Sequence, residues 1–279
     1  MISFPHAKIN LGLSIVSKRP DGFHDLETIF YPLPIRDALE IIPSEQIRFV
    51  STGQMIPGSS GDNLVLGAYQ LLKKKYPQIA SLEIHLHKAI PMGAGLGGGS
   101  SDAAETIKLI NGFFDLRISP EELDAYALEL GSDCPFFMQS DPCFAKGRGE
   151  ILEPLPLDLS EYSFLLIHPE ILIETSWAFS KVKPASPEYD LKESILQPIQ
   201  NWVHTIHNDF EAPVFEIFPS LHKIKEQLYE CGALYAAMTG SGSTIFGIFD
   251  KSAFPVSLEV ENASRTLIRC PFLISGHKA

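Results

Sequence analysis

PMGAGLGGGSSDAAE, residues 91–105, places five glycines within seven positions, at Gly93, Gly95, Gly97, Gly98 and Gly99. Each glycine loses more backbone freedom on folding than any other residue, so such a cluster implies positive φ angles or a ligand that approaches the backbone closely. Downstream, DAAETIKLINGFF has the apolar spacing of a helix, with Asp102 and Glu105, or Ser101, as its start signal. A glycine loop that opens onto a helix N-terminus offers free backbone N–H groups and the positive end of the helix dipole, which together make an anion site. No Lys follows the last glycine as a Walker A loop requires, and the acidic residue of a dinucleotide fingerprint is missing about twenty residues on.

Outward from the loop, SLEIHLHK alternates as a strand that delivers the chain into it, with His85 and His87 on a solvated face. Before that strand, DNLVLGAYQLLKKKY reads as a helix capped by Asp62, and ALEII and QIRFV read as a hairpin. KINLGLSIV alternates with one face buried, so Lys8 and Asn10 share the other, and KRPDGFH after it is a turn carrying Phe23 and His24. Beyond the loop helix, Ser119 and Pro120 open a second helix that ends at Gly131, followed by Asp133 before a short apolar strand. A carboxylate at such a junction can cap backbone donors or do chemistry, and the residues alone leave both readings open.

In the second half, FLLIHP reads as a buried strand, residues 183–192 as a mobile polar stretch, and residues 196–206 and 219–231 as helices. Residues 234–249 read as strand, glycine turn and strand, with TLIRCPFLI as the closing strand. The turn MTGSGST reads first as a plain hairpin, and its Thr239, Ser241 and Ser243 hydroxyls also offer a second cluster of anion donors. The Gly- and Pro-rich residues 144–159 are the expected crossing between two lobes, dividing the chain into residues 1–155 and 156–279.

At 279 residues with 45% apolar and 20% charged side chains, the composition is that of a folded protein. A net charge of −12 argues against a nucleic-acid or anionic-membrane partner but not against one phosphorylated small molecule. Four cysteines without a C-x-x-C pair, no transit-like start and no long apolar run lead to the expectation of a cytoplasmic protein.

PMGAGLGGGSSDAA resembles the nucleotide-phosphate loop of the GHMP kinases. AKINLGLSIVSKRPDGFHDLET (residues 7–28) and LGSDCPFF (residues 130–137) resemble the branch acting on 4-diphosphocytidyl-2-C-methyl-D-erythritol, in the same order and spacing over essentially the whole chain. The resemblance implies an α+β, two-lobed fold, the N-terminal lobe like the second domain of ribosomal protein S5, with the active site in the cleft between lobes. It implies ATP with Mg2+ and a small cytidyl alcohol as partners. Lys8 and Asp133 would face the acceptor hydroxyl, and an aspartate ionised at neutral pH would accept its proton.

Pro91, Met92, Gly93, Ala94, Gly95, Leu96, Gly97, Gly98, Gly99, Ser100 and Ser101 would hold the phosphates, with Ser101 as the Mg2+ ligand and Asp62, Asn63 and Lys88 near the adenosine. Phe23 and Phe179 would stack on the cytosine and His24 would bond its edge. Asn10, Thr175 and the late turn at Thr239, Gly240 and Ser241 would complete the acceptor site. Phe23 departs from the family's commonest Tyr, which keeps stacking but loses a hydroxyl. A homoserine- or mevalonate-type kinase would have no use for PDGFH or Phe179, and a non-catalytic ATP-binding module could dispense with Lys8 and Asp133.

Overall fold

A computed structural model describes residues 1–56, 63–169, 171–253 and 266–271, the last six through their backbone alone. The chain opens with β1 (Ile2–Ser3), a hairpin of two long strands, β2 (His6–Lys18) and β3 (His24–Arg36), then β4 (Ala38–Pro43) and β5 (Arg48–Gly53). Helix α1 (Leu64–Lys75) leads to β6 (Leu82–Lys88), the glycine loop, and helices α2 (Gly98–Phe113), α3 (Pro120–Leu130) and α4 (Cys134–Gln139). Strands β7 (Cys143–Lys146), β8 (Ile151–Pro154) and β9 (Tyr162–His168) follow, then α5 (Thr175–Lys181), α6 (Leu191–Ile195), α7 (Trp202–Thr205), α8 (Glu211–Ile217) and α9 (Pro219–Glu230). Strands β10 (Tyr235–Met238), β11 (Ile245–Asp250) and β12 (Thr266–Pro271) complete it.

Among the described residues, three four-stranded sheets result, in the orders β1-β4-β6-β5, β2-β3-β7-β8 and β10-β11-β9-β12. The first carries α1, α2 and α3 on one face, around Leu39, Ile84, Leu72 and Ile107. On the third sheet, α9 lays down Leu221, Ile224 and Leu228, each worth about 1.5–3 kcal/mol on burial. A boundary at 155/156 falls between β8 and β9, and one core cluster crosses it, packing Ile9 and Leu11 of β2 against Phe164, Tyr235 and Phe246. This crossing seats the β2–β3 hairpin on the C-terminal half.

The hairpin expected of ALEII and QIRFV does not form. Strand β6 inserts between β4 and β5, pairing antiparallel with one and parallel with the other, so its central place satisfies backbone groups on both edges. Strand β2 is buried on both faces, because Lys8 and Asn10 point into polar packing rather than water. The residues after Asp133 form the short helix α4 instead of a strand, with Pro135 early in its first turn. Pro198 breaks the expected helix at residues 196–206 into a 3-10 turn and α7. Asp190, within the polar stretch, caps α6 by accepting from Lys192 N and Glu193 N.

Helix α3 starts as its sequence predicts, with a reciprocal capping box between Ser119 and Glu122. The cap of α1 is Asn63, whose Oδ1 accepts from Val65 N at 2.9 Å; Asp62, the expected cap, lies outside the described residues. Helix α2 begins at Gly98 rather than at Ser101 or Asp102, behind Gly97 at φ +70°. No side chain caps it, so the loop glycines form its first turn and leave that turn's amides to another acceptor.

Candidate active site

The glycine loop is held from two sides. Lys8 N donates to Leu96 O at 2.9 Å, joining the loop to β2. Thr239 accepts from Asn10 N at 3.0 Å and donates its hydroxyl to Gly95 O at 3.1 Å, so one side chain ties β2, the loop and the late glycine turn together. The approach is close enough to forbid a side chain at Gly95, where a Cβ would stand 2.1 Å from Thr239 O at a φ of +75°. Asn208 fixes the late turn, its Nδ2 donating to Met238 O and Gly240 O at 2.8 and 2.9 Å.

Below the loop lies a cavity of about 670 Å³, lined by Gly93, Gly95 and Gly97 on one side and by both halves of the chain elsewhere. Lys8, only 3% exposed, donates to Asn10 Oδ1 at 2.6 Å and stands 3.4 Å from Asp133 Oδ2. Its ammonium also lies 5.0 Å from the centre of the Phe30 ring. Asn10 passes the constraint on: its Nδ2 donates to Thr28 Oγ1 at 2.9 Å, and Thr28 donates to Gly12 O at 2.5 Å. That chain fixes which end of the Asn10 amide faces the lysine. Asp133 precedes α4 yet accepts no capping bond, so its carboxylate is free to face the cavity.

At the far end of the cavity the His24 ring stacks on Phe179, centroids 4.9 Å apart and planes 16° from parallel, with Phe210 edge-on behind. Phe23, 49% exposed, carries the Arg148 guanidinium 4.4 Å from its centre. A cation and carboxylate at one end, a stack of aromatics at the other and a glycine loop with a helix start alongside suit transfer of an anionic group to a bound alcohol.

The GHMP kinases N terminal domain matches residues 63–140, and the GHMP kinases C terminal domain matches residues 190–261. The 4-diphosphocytidyl-2-C-methyl-D-erythritol kinase of Parabacteroides distasonis is 53% identical over 90% of this chain and 92% of that protein. The protein of the same name from Bacteroides thetaiotaomicron is 49% identical over 90% and 92%. This chain belongs to that kinase family. A crystal structure of a 4-(cytidine 5'-diphospho)-2C-methyl-D-erythritol kinase is similar with a TM-score of 0.75 and 32% identity, over 89% of this chain and 90% of the other. A crystal structure of mevalonate kinase, at 13% identity over 97% and 98% and a TM-score of 0.70, shares the fold alone. As a GHMP kinase, the chain is an ATP-dependent phosphotransferase of two-lobed α+β fold.

The structure gathers Lys8, Asn10, Phe23, His24, Asp133, Thr175, Phe179, Gly240 and Ser241 around the one cavity, with Thr175 Oγ1 and Ser241 Oγ 3.1 Å apart. Of the expected phosphate-loop residues, Pro91, Ala94 and Leu96 are buried anchors, Met92 is half-buried, and Gly98, Gly99 and Ser100 form the helix start. Thr239 is buried and its hydroxyl already engaged, so it shapes the turn instead of presenting a donor.

Lys88 does not reach a nucleotide through its ammonium, which is buried between Asp37 and Asp102. Ser101 does not fit as the metal ligand: it is 0% exposed, with its hydroxyl turned into the interior and its N–H donating to Gly97 O. Among the described residues, no group of three His, Cys, Asp or Glu is placed to hold a metal ion, and no helix is long and apolar enough to cross a membrane.

Sequence reasoning missed Thr28, Asn208 and Arg148. Thr28 and Asn208 act through bonds to distant backbone, which no local pattern announces. Arg148 had a signal, a lone cation between two glycines in KGRGE.

Proposed function

We propose that the chain transfers the terminal phosphoryl group of ATP to the 2-hydroxyl of 4-diphosphocytidyl-2-C-methyl-D-erythritol. The observation that carries this reading is that the Lys8–Asp133 pair opens into the same cavity as the His24–Phe179 stack. Asp133 accepts the hydroxyl proton as the new bond forms between the 2-oxygen and the γ-phosphorus and the bond to the leaving ADP oxygen breaks. Lys8, held by Asn10, keeps the carboxylate oriented and stabilises charge on the transferred group. The loop from Gly93 to Ser100 cradles the phosphates with backbone amides at the start of α2. Mg2+ brought by ATP would supply charge neutralisation at the phosphates.

The cytosine takes the face of Phe179 that His24 covers, with the imidazole moving to the polar edge of the base and Phe23 closing the other face. Thr175, Gly240 and Ser241 line the cavity on the acceptor side. The test is ADP release by the purified protein with Mg-ATP and, separately, the cytidyl alcohol, mevalonate and homoserine. Turnover with the cytidyl alcohol alone supports the reading. Turnover with another alcohol keeps a kinase and discards the cytosine slot.

A further inference from the structure

Arg148 stands at the tip of the turn between β7 and β8, flanked by Gly147 at φ +68° and Gly149 at φ +110°. The turn is fixed from several sides. Leu26 N donates to Gly147 O at 2.7 Å, Gly149 N to Lys146 O at 3.0 Å, and Arg148 N to Glu150 Oε2 at 2.5 Å. The guanidinium rests on Phe23, 4.4 Å from the ring centre, and lines the cavity.

Among the described residues, Arg148 has no carboxylate in an ion pair. The nearby Asp21 feels its charge but is engaged by Arg19. The chain carries a net charge of −12, yet the cavity is lined by Lys8, Lys18 and Arg148 against the single carboxylate of Asp133.

Position along the cavity gives this cation its meaning. A Cβ on the adjacent Gly149 would lie 3.7 Å from Asp133 Oδ1, while Arg148 itself touches Phe23, next to His24. Consecutive Cα atoms are about 3.8 Å apart, so one short turn borders both the reacting end and the aromatic end. An acceptor that puts its hydroxyl at Asp133 and its base at Phe179 must pass Arg148 with whatever joins the two.

On the reading proposed above, on which this inference rests, that joining group is a diphosphate. We infer that Arg148 recognises the acceptor's diphosphate, its planar fork donating N–H bonds to phosphate oxygens, with exposed Lys18 adding charge at the same mouth. Arg148 is therefore a specificity residue that separates a nucleoside diphosphate ester from a nucleoside.

The test is calorimetric binding of CDP and of cytidine, with ADP saturating the nucleotide loop, to the wild-type chain, Arg148→Met and Arg148→Lys. It is run alongside KM values for the acceptor and for ATP. Arg148→Met keeps an apolar stem over Phe23 and removes the charge. It should weaken CDP about tenfold or more and leave cytidine within about twofold. The acceptor KM should rise in step, with kcat and the KM for ATP unchanged, and Arg148→Lys should recover part of the loss.

Equal losses for cytidine and CDP would mean that Arg148 only positions Phe23. An unchanged CDP affinity, or a fall confined to kcat, would also overturn the assignment. A wild-type chain that binds neither ligand and leaves the cytidyl alcohol unphosphorylated would overturn the functional reading itself, and this inference with it.

Discussion

Lys8 and Asp133 face each other across the cavity, Nζ to Oδ2 at 3.4 Å, one from near the start of β2 and the other from the residue before α4. Asp133 occupies a helix N-cap position without making the capping bond, and Lys8 is already fixed by Asn10. A carboxylate kept out of capping, beside a fixed cation and open to a cavity, is set up to take a proton. Asp133→Asn keeps the shape and removes the base. It should lower kcat at least about a hundredfold while the KM for ATP stays within about twofold. Steady-state kinetics checks this, and near-normal turnover would take Asp133 out of the proton's path.

Gly95 and Gly232 offer a paired test of the loop's seat. Both have positive φ, +75° and +90°, so alanine strains either by roughly 1–3 kcal/mol. At Gly232, after α9, the added methyl meets open space, whereas at Gly95 it would overlap the Thr239 carbonyl at 2.1 Å. Gly232→Ala should lower Tm modestly and leave turnover intact. Gly95→Ala should lower Tm further and sharply reduce turnover, because the loop must leave the late turn. Equal Tm shifts and equal activities would show that the contact does not hold the loop.

The glycine loop, the capping box at Ser119 and Glu122 and the strand–turn–strand at residues 234–249 were legible because each is a local pattern with a local cause. Resemblance supplied the pairing of Lys8 with Asp133, which no spacing reveals. The insertion of β6 between β4 and β5 escaped because nearest-neighbour logic favours a hairpin, and only the assembled sheet shows a parallel partner. Resemblance also implied Lys88 near the adenosine and Ser101 as a metal ligand. Their burial is a tertiary fact, since Asp37 comes to Lys88 from a loop before β4. Arg148 was passed over because a glycine-flanked arginine reads as a solvated turn until Phe23 is seen beneath it.

His24 and Phe179 stack at the far end of the cavity, and on the proposed reading the base replaces the imidazole on the Phe179 face while keeping His24 at its edge. His24→Ala opens that face but removes the edge bond. The KM for the cytidyl alcohol should rise about tenfold or more, with little change in the KM for ATP. Phe179→Ala should act in the same direction by removing the stacking surface. Matching increases in both KM values would count against an acceptor role for either ring.

Beneath the start of α2, Lys88 is bonded to both Asp37 and Asp102, all three buried. Asp37 also accepts from Ala89 N and Ile90 N, at 2.6 and 2.8 Å. Asp102 has Lys88 and an otherwise unpartnered Oδ1, and burial pushes its carboxyl up to about 8, with Asp37 adding to the rise and Lys88 opposing it. An unfolded aspartate ionises near pH 3.9. Between about pH 4 and pH 8 the folded chain holds a proton that the unfolded chain has released, so this group's contribution to stability falls as pH rises through that window and is lost above it. Asp102→Asn mimics the protonated acid and cannot ionise. Its Tm should lie near that of the wild type at pH 4, exceed it increasingly up to about pH 8 and hold that lead at pH 9. Thermal melts of the two proteins across that range that run parallel would place the proton elsewhere in the Asp37–Lys88–Asp102 cluster.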